Sequence, residues 1–286
     1  MNLARGFLGR LSVRRRHTWR LASTAVSNGS VAGSNTPKAA MVVIGDEILA
    51  GSIADVNTPW LAKLLHSRGV DLTRVEFIPD NQEEIKSTVL ELKKRVGPNG
   101  FVFTSGGIGP THDDVTYESI ASAFGVDLQL HEPTVKRMKE VYEKRGLELN
   151  QARLRMATLP CPADEVLVTP DLWVPLVNLK GIYILPGIPK LFRAIVSAHQ
   201  DRFTGPAFHT ESLYTDLGEG DLAEPLAKVA KESPKVSIGS YPNTEDEKQQ
   251  QYKVKLQLNG RDAAAVLTAK HAISEALGPS LKDAAV

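Results

Sequence analysis

Four short apolar runs, each followed by a helix-forming stretch, most constrain what this chain can become. "AAMVVIG" (39–45), "VDLTRVEFIP" (70–79), "FVFT" (101–104) and "IYILPG" (182–187) have strand length and run into turns rich in Gly or Pro. After the first, Asn57 stands where a helix cap belongs, Pro59 follows, and Trp60, Leu61, Leu64 and Leu65 repeat at helical spacing up to Gly69. After the second, Asp80 and Asn81 open a helix that turns Ile85, Val89 and Leu92 inward. After the third, "VTYESIASAFG" ends at Gly125, and after the fourth comes "KLFRAIVSAHQ". Strand–helix alternation with short connections predicts an α/β fold, a mostly parallel sheet with helices on both faces. Ligands of such sheets bind beyond the carboxyl ends of the strands. Three acid-bearing segments fall there: "GDE" after strand one, "PD" after strand two and "SGGIGPTHDD" after strand three.

The outer parts read differently. Residues 1–45 hold no Asp or Glu, while Arg5, Arg10, Arg14, Arg15, Arg16 and Arg20 crowd the start, with Leu3, Phe7 and Leu11 four apart. That composition predicts a transit peptide and a mitochondrial matrix address; a basic tail on a cytoplasmic protein is the alternative. Setting those six arginines aside takes the formal net charge from +1 to −5, so the folded part carries no nucleic-acid footprint. No apolar run is long enough to span a membrane. Residues 1–38 are therefore transit peptide and linker, and 39–204 the α/β domain. Within it, 130–160 is an excursion, a lid or an interface arm. Residues 205–286 read as a small α+β domain: strand "HTESLYTDL", helix "DLAEPLAKVAKE", hairpin "KVSIGSY"/"QYKVKLQL", helix "AAAVLTAKHAISEAL".

The turn "TSGGIGPTHDD" (104–114) carries most of the chemistry. Gly106, Gly107 and Gly109 let backbone amides approach an anion closely, and the following helix adds its positive end. A phosphate is the expected guest. The turn is no Walker loop, because it has no lysine; in that place stand His112, Asp113 and Asp114. Two carboxylates beside a phosphate repel it unless a hard divalent cation intervenes. Neighbouring side chains diverge by about 100° on a helix, so one acid is expected at the metal and the other as a helix cap. Asp46, Glu47 and Asp80 at neighbouring strand ends favour the metal over two ordinary helix-start acids. Asn57 reads equally as a cap or a ligand-site residue. "LPGIP" (185–189), with Gly187 and Pro189, is either a rigid wall for a planar ring or a plain helix start. His112 is a candidate base or phosphate donor. The single cysteine, Cys161 in "LPCPAD", reads as inert.

"GDEILAGSIADVNTPWLAKLL" followed by "FVFTSGGIGPTHDDVTYESIA" resembles the MoaB/Mog-type molybdopterin-binding domain. "GGIGPTHDDVT", "LNQARLRMATLP" and "ILPGIPKLF" resemble its CinA subgroup, which also forms the N-terminal half of eukaryotic FAD synthases. The resemblance covers about residues 39–200, and the domain after 205 is similar to the one that follows in that subgroup. It implies a three-layer, often oligomeric fold and a nucleotide or pterin phosphate as ligand. It implies Asp46, Asp80 and Asp113 as ligands of Mg, Mn or Co, with a monovalent cation as a further candidate. It implies Glu47 and Asp114 as further metal or polar ligands, of which one or the other takes the proton of an attacking water in a hydrolase, and Gly45, Gly106, Gly107, Gly109, Pro110, Thr111, Thr116, Asn57, Gly187 and Pro189 around the phosphate and substrate. No segment resembles the deamidase or adenylyltransferase domains of these relatives, which weighs against amide hydrolysis and FAD synthesis. "VTPDLWVPLVNLKG" also departs from the subgroup's Gly-rich loop.

Three activities fit these residues. The foremost is metal-dependent hydrolysis of a nucleotide pyrophosphate such as FAD or ADP-ribose. The second is adenylyl transfer to molybdopterin, and the third a nucleotide-binding module without catalysis.

Overall fold

The structure is a computed structural model that describes residues 36–244 and 251–282. The expected transit segment and residues 245–250 of the hairpin connection lie outside the described residues.

By contact the chain forms two compact units, one ending near Gln200 and one built chiefly from Asp201 onward. In the first, β1 (Lys38–Ile44), the short α1 (Asp46–Leu49), α2 (Asn57–Ser67), β2 (Asp71–Ile78), α3 (Gln82–Val96), β3 (Phe101–Ser105) and α4 (Thr116–Phe124) follow one another. Next come β4 (Asp127–Leu130), α5 (Glu132–Lys144), α6 (Gln151–Arg155), β5 (Thr158–Cys161), β6 (Glu165–Leu167), β7 (Leu176–Leu179), β8 (Ile182–Ile184) and α7 (Pro189–Ala198). Six strands form one sheet in the order β2-β1-β3-β8-β7-β6. Its centre is parallel, β1 with β3 and β3 with β8, and its far side is an antiparallel meander of β8, β7 and β6. Ala39 to Ile44 are all buried, so both faces of β1 are covered, as a central parallel strand requires. Met41, Phe103, Ile120, Leu176 and Phe192 fill the core.

The mostly parallel sheet expected from the alternation is present, with the meander as an addition. β6 and β7 have three and four residues, and Pro175 precedes β7, so neither offers a readable period. The 130–160 excursion is a closed loop of structure. β4 pairs antiparallel with β5, Asp127 opposite Cys161, and α5 and α6 lie between them. Cys161 is buried there, and burial pushes its thiol pKa up, so it is no ready nucleophile.

The second unit has β9 (His209–Thr215), α8 (Glu219–Glu232), β10 (Val236–Pro242), β11 (Val254–Gly260), α9 (Ala263–Leu277) and β12 (Leu281–Lys282). The sheet order is β10-β11-β9-β12, all antiparallel. Strict alternation in β11 turns Val254, Leu256 and Leu258 into the core, where α8 and α9 supply Leu222, Val229, Val266 and Ile273. The Asp262 side chain caps α9 by accepting from the amides of Ala264 and Ala265.

Candidate functional site

The register of β1 on β3, Val43 opposite Ser105, brings two turns together at the carboxyl ends of the strands. Gly106 has φ 117°, and a Cβ there would stand 2.1 Å from the Ile44 carbonyl oxygen. Gly107 has φ 62°, and its Cβ would meet the Thr116 hydroxyl at 2.3 Å. Only glycine allows the two turns to close on each other here. They line a cavity of about 530 Å³ with the turn around Gly187, a volume suited to a small-molecule ligand.

Asn81 caps α3, accepting from the amides of Glu83 and Glu84, so the neighbouring Asp80 carboxylate stays on the cavity wall. There Asp80 Oδ2 accepts the Asp46 amide at 3.0 Å. Its carboxyl pKa is raised above the usual range, first by burial, then by the charges of Glu47, Asp46 and Asp113; the Asp46 amide opposes the shift. Five acidic residues line the cavity, Glu47, Asp55, Asp80, Asp113 and Asp114, and among the described residues no Lys, Arg or His does.

Two of the five are spent within their own turns, and Asp80 has one oxygen on the Asp46 amide. Asp55 Oδ1 accepts from the amides of Asn57 and Thr58, so Asp55 caps α2 and Asn57 does not. Asp114 accepts from the Gly109 amide at 2.6 Å, the Thr111 amide at 2.8 Å and the Thr111 hydroxyl at 2.5 Å. It ties the glycine turn to itself. The expectation that one acid of the pair caps the next helix fails, because α4 starts at Thr116 and its cap position, Val115, offers no side-chain bond. A free base at Asp114 is likewise not what this geometry presents. Glu47, Asp80 and Asp113 remain. Their oxygens are the hard donors a divalent cation takes, although no three acid, His or Cys groups among the described residues converge on one metal-sized point.

The expected phosphate ligands divide. Gly45, Gly106, Gly107, Gly109, Pro110, Asn57, Gly187 and Pro189 line the cavity. The amides of Gly107 and Ile108 find no acceptor among the described residues, which leaves two donors on its wall. The first turn of α7 borders it as well, at Pro189 and Leu191, without a side-chain cap. Thr116, by contrast, is fully buried behind the turn: its hydroxyl donates to the Gly106 carbonyl and its amide to that of Gly107. Thr111 is spent on Asp114, and Asp46 bonds to the site through its amide. None of these three lines the cavity. His112, its side chain 98% exposed, does not line it either.

Asn57 is the hinge between segments. Its Nδ2 donates to Ser105 Oγ at 3.0 Å and to the Gly187 carbonyl at 2.8 Å. Its Oδ1, on a residue 4% exposed, is buried without a partner among the described residues. Two further residues carried no readable signal in the sequence. Arg155, at the end of α6, donates to the carbonyls of Thr111 and Asp114 and so clamps the glycine turn from the excursion. Trp173, in the segment between β6 and β7, lines the cavity with Met156 and Val174.

An open α/β sheet with a glycine turn, strand-end acids and a ligand-sized cavity at its carboxyl edge is the arrangement in which α/β domains bind small ligands. The chain belongs to the probable molybdopterin-binding domain family, whose model matches residues 40–202. Residues 207–284 match the FAD synthase middle domain. A probable FAD synthase of Caenorhabditis elegans is 35% identical over 71% of this chain, which spans 43% of that relative. A protein of Aeropyrum pernix is 32% identical over 72% of this chain and 79% of its own length. Among solved structures, the protein CinA of Thermoplasma acidophilum, of unknown function, superposes with a TM-score of 0.52 at 30% identity, over 59% of this chain and 99% of its own. The chain thus joins a MoaB/Mog- and CinA-like domain to an FAD synthase-like one.

Proposed function

We propose that the chain hydrolyses a dinucleotide-type pyrophosphate such as FAD or ADP-ribose in this cavity with a divalent cation. One observation carries the reading: among the described residues the cavity sets five acidic residues and no basic one beside two amides without an acceptor and a largely apolar wall. A phosphate enters such a site only together with a cation, and the apolar wall suits an attached ring. Asp80 and Asp113 would hold the cation, which leaves Glu47 free as a base. When bound it neutralises phosphate charge and polarises the phosphoryl groups. The amides of Gly107 and Ile108 hold a phosphate oxygen, and the first turn of α7 favours negative charge. Glu47 accepts the proton of an attacking water. A P–O bond to that water forms as the anhydride P–O bond breaks, so FAD and water give FMN and AMP. The relatives named FAD synthase support a nucleotide ligand.

The test is AMP release from FAD, ADP-ribose and NADH with Mg, Mn or Co, using the full chain. Metal-dependent AMP from at least one substrate, reduced about 100-fold or more in Glu47→Gln, is the expected result. Nucleotide binding without AMP from any substrate sinks the hydrolase and leaves a binding module. Turnover of ATP that requires a pterin assigns the adenylyl transferase instead.

A further inference from the structure

The acids and glycines of the cavity leave its apolar side unassigned, and one residue there is held with unusual care. Trp173 is half-buried and lines the cavity with Ile53, Val56, Met156, Ile188 and Leu191. Its ring meets that of Tyr142 edge-on, centroids 6.3 Å apart, and the Arg153 guanidinium lies 5.0 Å over the Tyr142 ring.

The backbone before Trp173 is fixed independently. Thr169 to Leu172, "TPDL", form a tight turn in which the Leu172 amide donates to the Thr169 carbonyl. Pro170 takes the second position and Asp171 the third, with φ 61°, a conformation that Pro–Gly or Pro–Asn turns usually supply. Arg137 of α5 holds this turn. Its Nε and Nη2 donate to the Leu172 carbonyl at 3.1 and 2.6 Å, and Nη2 also donates to the Thr169 carbonyl at 2.9 Å. Thr169 is buried, and its hydroxyl lies 3.2 Å from His199 Nε2. The Trp173 indole is set at a cavity wall by a left-handed residue, a forked arginine and an aromatic neighbour.

We propose that Trp173 is the ring platform of the site, stacking on the planar heteroaromatic ring of a ligand whose phosphate sits at the glycine turn. The proposal rests on the nucleotide reading above and adds the residue that selects the organic half. The same stacking chemistry suits an isoalloxazine or an adenine. Arg137 acts as a positioning residue through the Thr169–Leu172 turn.

Calorimetric titration of the full chain with FMN, AMP and inorganic pyrophosphate, each with Mg, tests it. Trp173→Leu keeps apolar bulk but has no π face, whereas Trp173→Phe keeps the π face. Loss of one base–aromatic stack corresponds to about a tenfold or greater rise in Kd. Trp173→Leu is expected to show that loss for the monophosphate whose ring it stacks, FMN or AMP, and none for pyrophosphate. Trp173→Phe should stay within about threefold of wild type, and Arg137→Ala should follow Trp173→Leu. Equal loss for pyrophosphate and both monophosphates would show a merely structural tryptophan and overturn the proposal. So would unchanged Kd for FMN and AMP in Trp173→Leu, even if the wild type releases AMP from FAD. A ring-selective loss without hydrolysis of any substrate would sustain the platform and remove the hydrolase. No binding of any of the three ligands to the wild type would overturn both.

Discussion

The Asp46 amide donates to Asp80 Oδ2 at 3.0 Å, joining the turn after β1 to the end of β2. This bond steadies an ionised Asp80, yet burial and the charges of Glu47, Asp46 and Asp113 outweigh it and raise the pKa. The native state therefore holds this proton more tightly than the unfolded chain does. Stability contributed by protonated Asp80 is full below the unfolded value of 3.8 and is lost as pH rises through the raised native value. Asp80→Asn keeps an oxygen to accept the Asp46 amide and has no charge to lose. Its Tm should match that of wild type near pH 4 and equal or exceed it at pH 7, while AMP release falls about 100-fold. A Tm at pH 7 well below wild type would show that the ionised carboxylate is instead a stabilising group.

Asp114 gives a contrasting result. Its three accepted bonds close residues 109–114, so its removal opens the turn. Asp114→Ala leaves the Gly109 and Thr111 amides without their acceptor and should cost about 1–3 kcal/mol in urea unfolding. Asp114→Asn retains one acceptor oxygen and should cost less. If Asp114 were instead the base, Asn would abolish turnover at unchanged stability and unchanged nucleotide Kd.

These two acids mark how far the sequence reads. The strand-helix alternation placed the central sheet, and strand-end acids and glycines pointed to the cavity that Glu47, Asp80, Asp113, Gly106 and Gly107 line. Adjacency did not reveal which carboxylate is consumed locally. Asp113 and Asp114 are equivalent as letters, and the difference between them is the curl of the turn that brings Asp114 back to Gly109. The cap of α2 falls to Asp55 and not to Asn57 for the same reason, since it belongs to whichever side chain reaches the first amides of the helix. Arg155 and Trp173 were hidden because they meet the site through long-range packing of the 127–175 region. No local period encodes that packing.

The close approach of the two turns predicts unequal costs for two glycines. A methyl group at Gly106 would meet a backbone oxygen that cannot move without pulling on β1. Gly106→Ala should destabilise by about 1–3 kcal/mol from overpacking in addition to the cost of a side chain at its φ of 117°, with nucleotide binding lost. Gly51 has φ 70° and nothing within 4 Å of a Cβ, so Gly51→Ala should cost only the left-handed preference, about 1–2 kcal/mol, and leave binding intact. Paired unfolding and binding curves check this, and equal binding by both variants would contradict the cradle.

Arg155 separates site order from stability. Its ion pair with Glu118 spans 3.3 Å between side chains 36% and 40% exposed, a pair worth about 1 kcal/mol or less. Its bonds to the Thr111 and Asp114 carbonyls, at 2.8 and 3.1 Å, matter differently, because they hold the turn that presents the Gly107 and Ile108 amides. Arg155→Ala should change unfolding free energy by no more than about 1 kcal/mol, yet weaken nucleotide affinity about tenfold as the turn loses its clamp. Lysine cannot reproduce the fork that reaches both carbonyls, so Arg155→Lys should restore little of the affinity. Full recovery by lysine would mean that charge, rather than the two-carbonyl grip, is what the site takes from this residue.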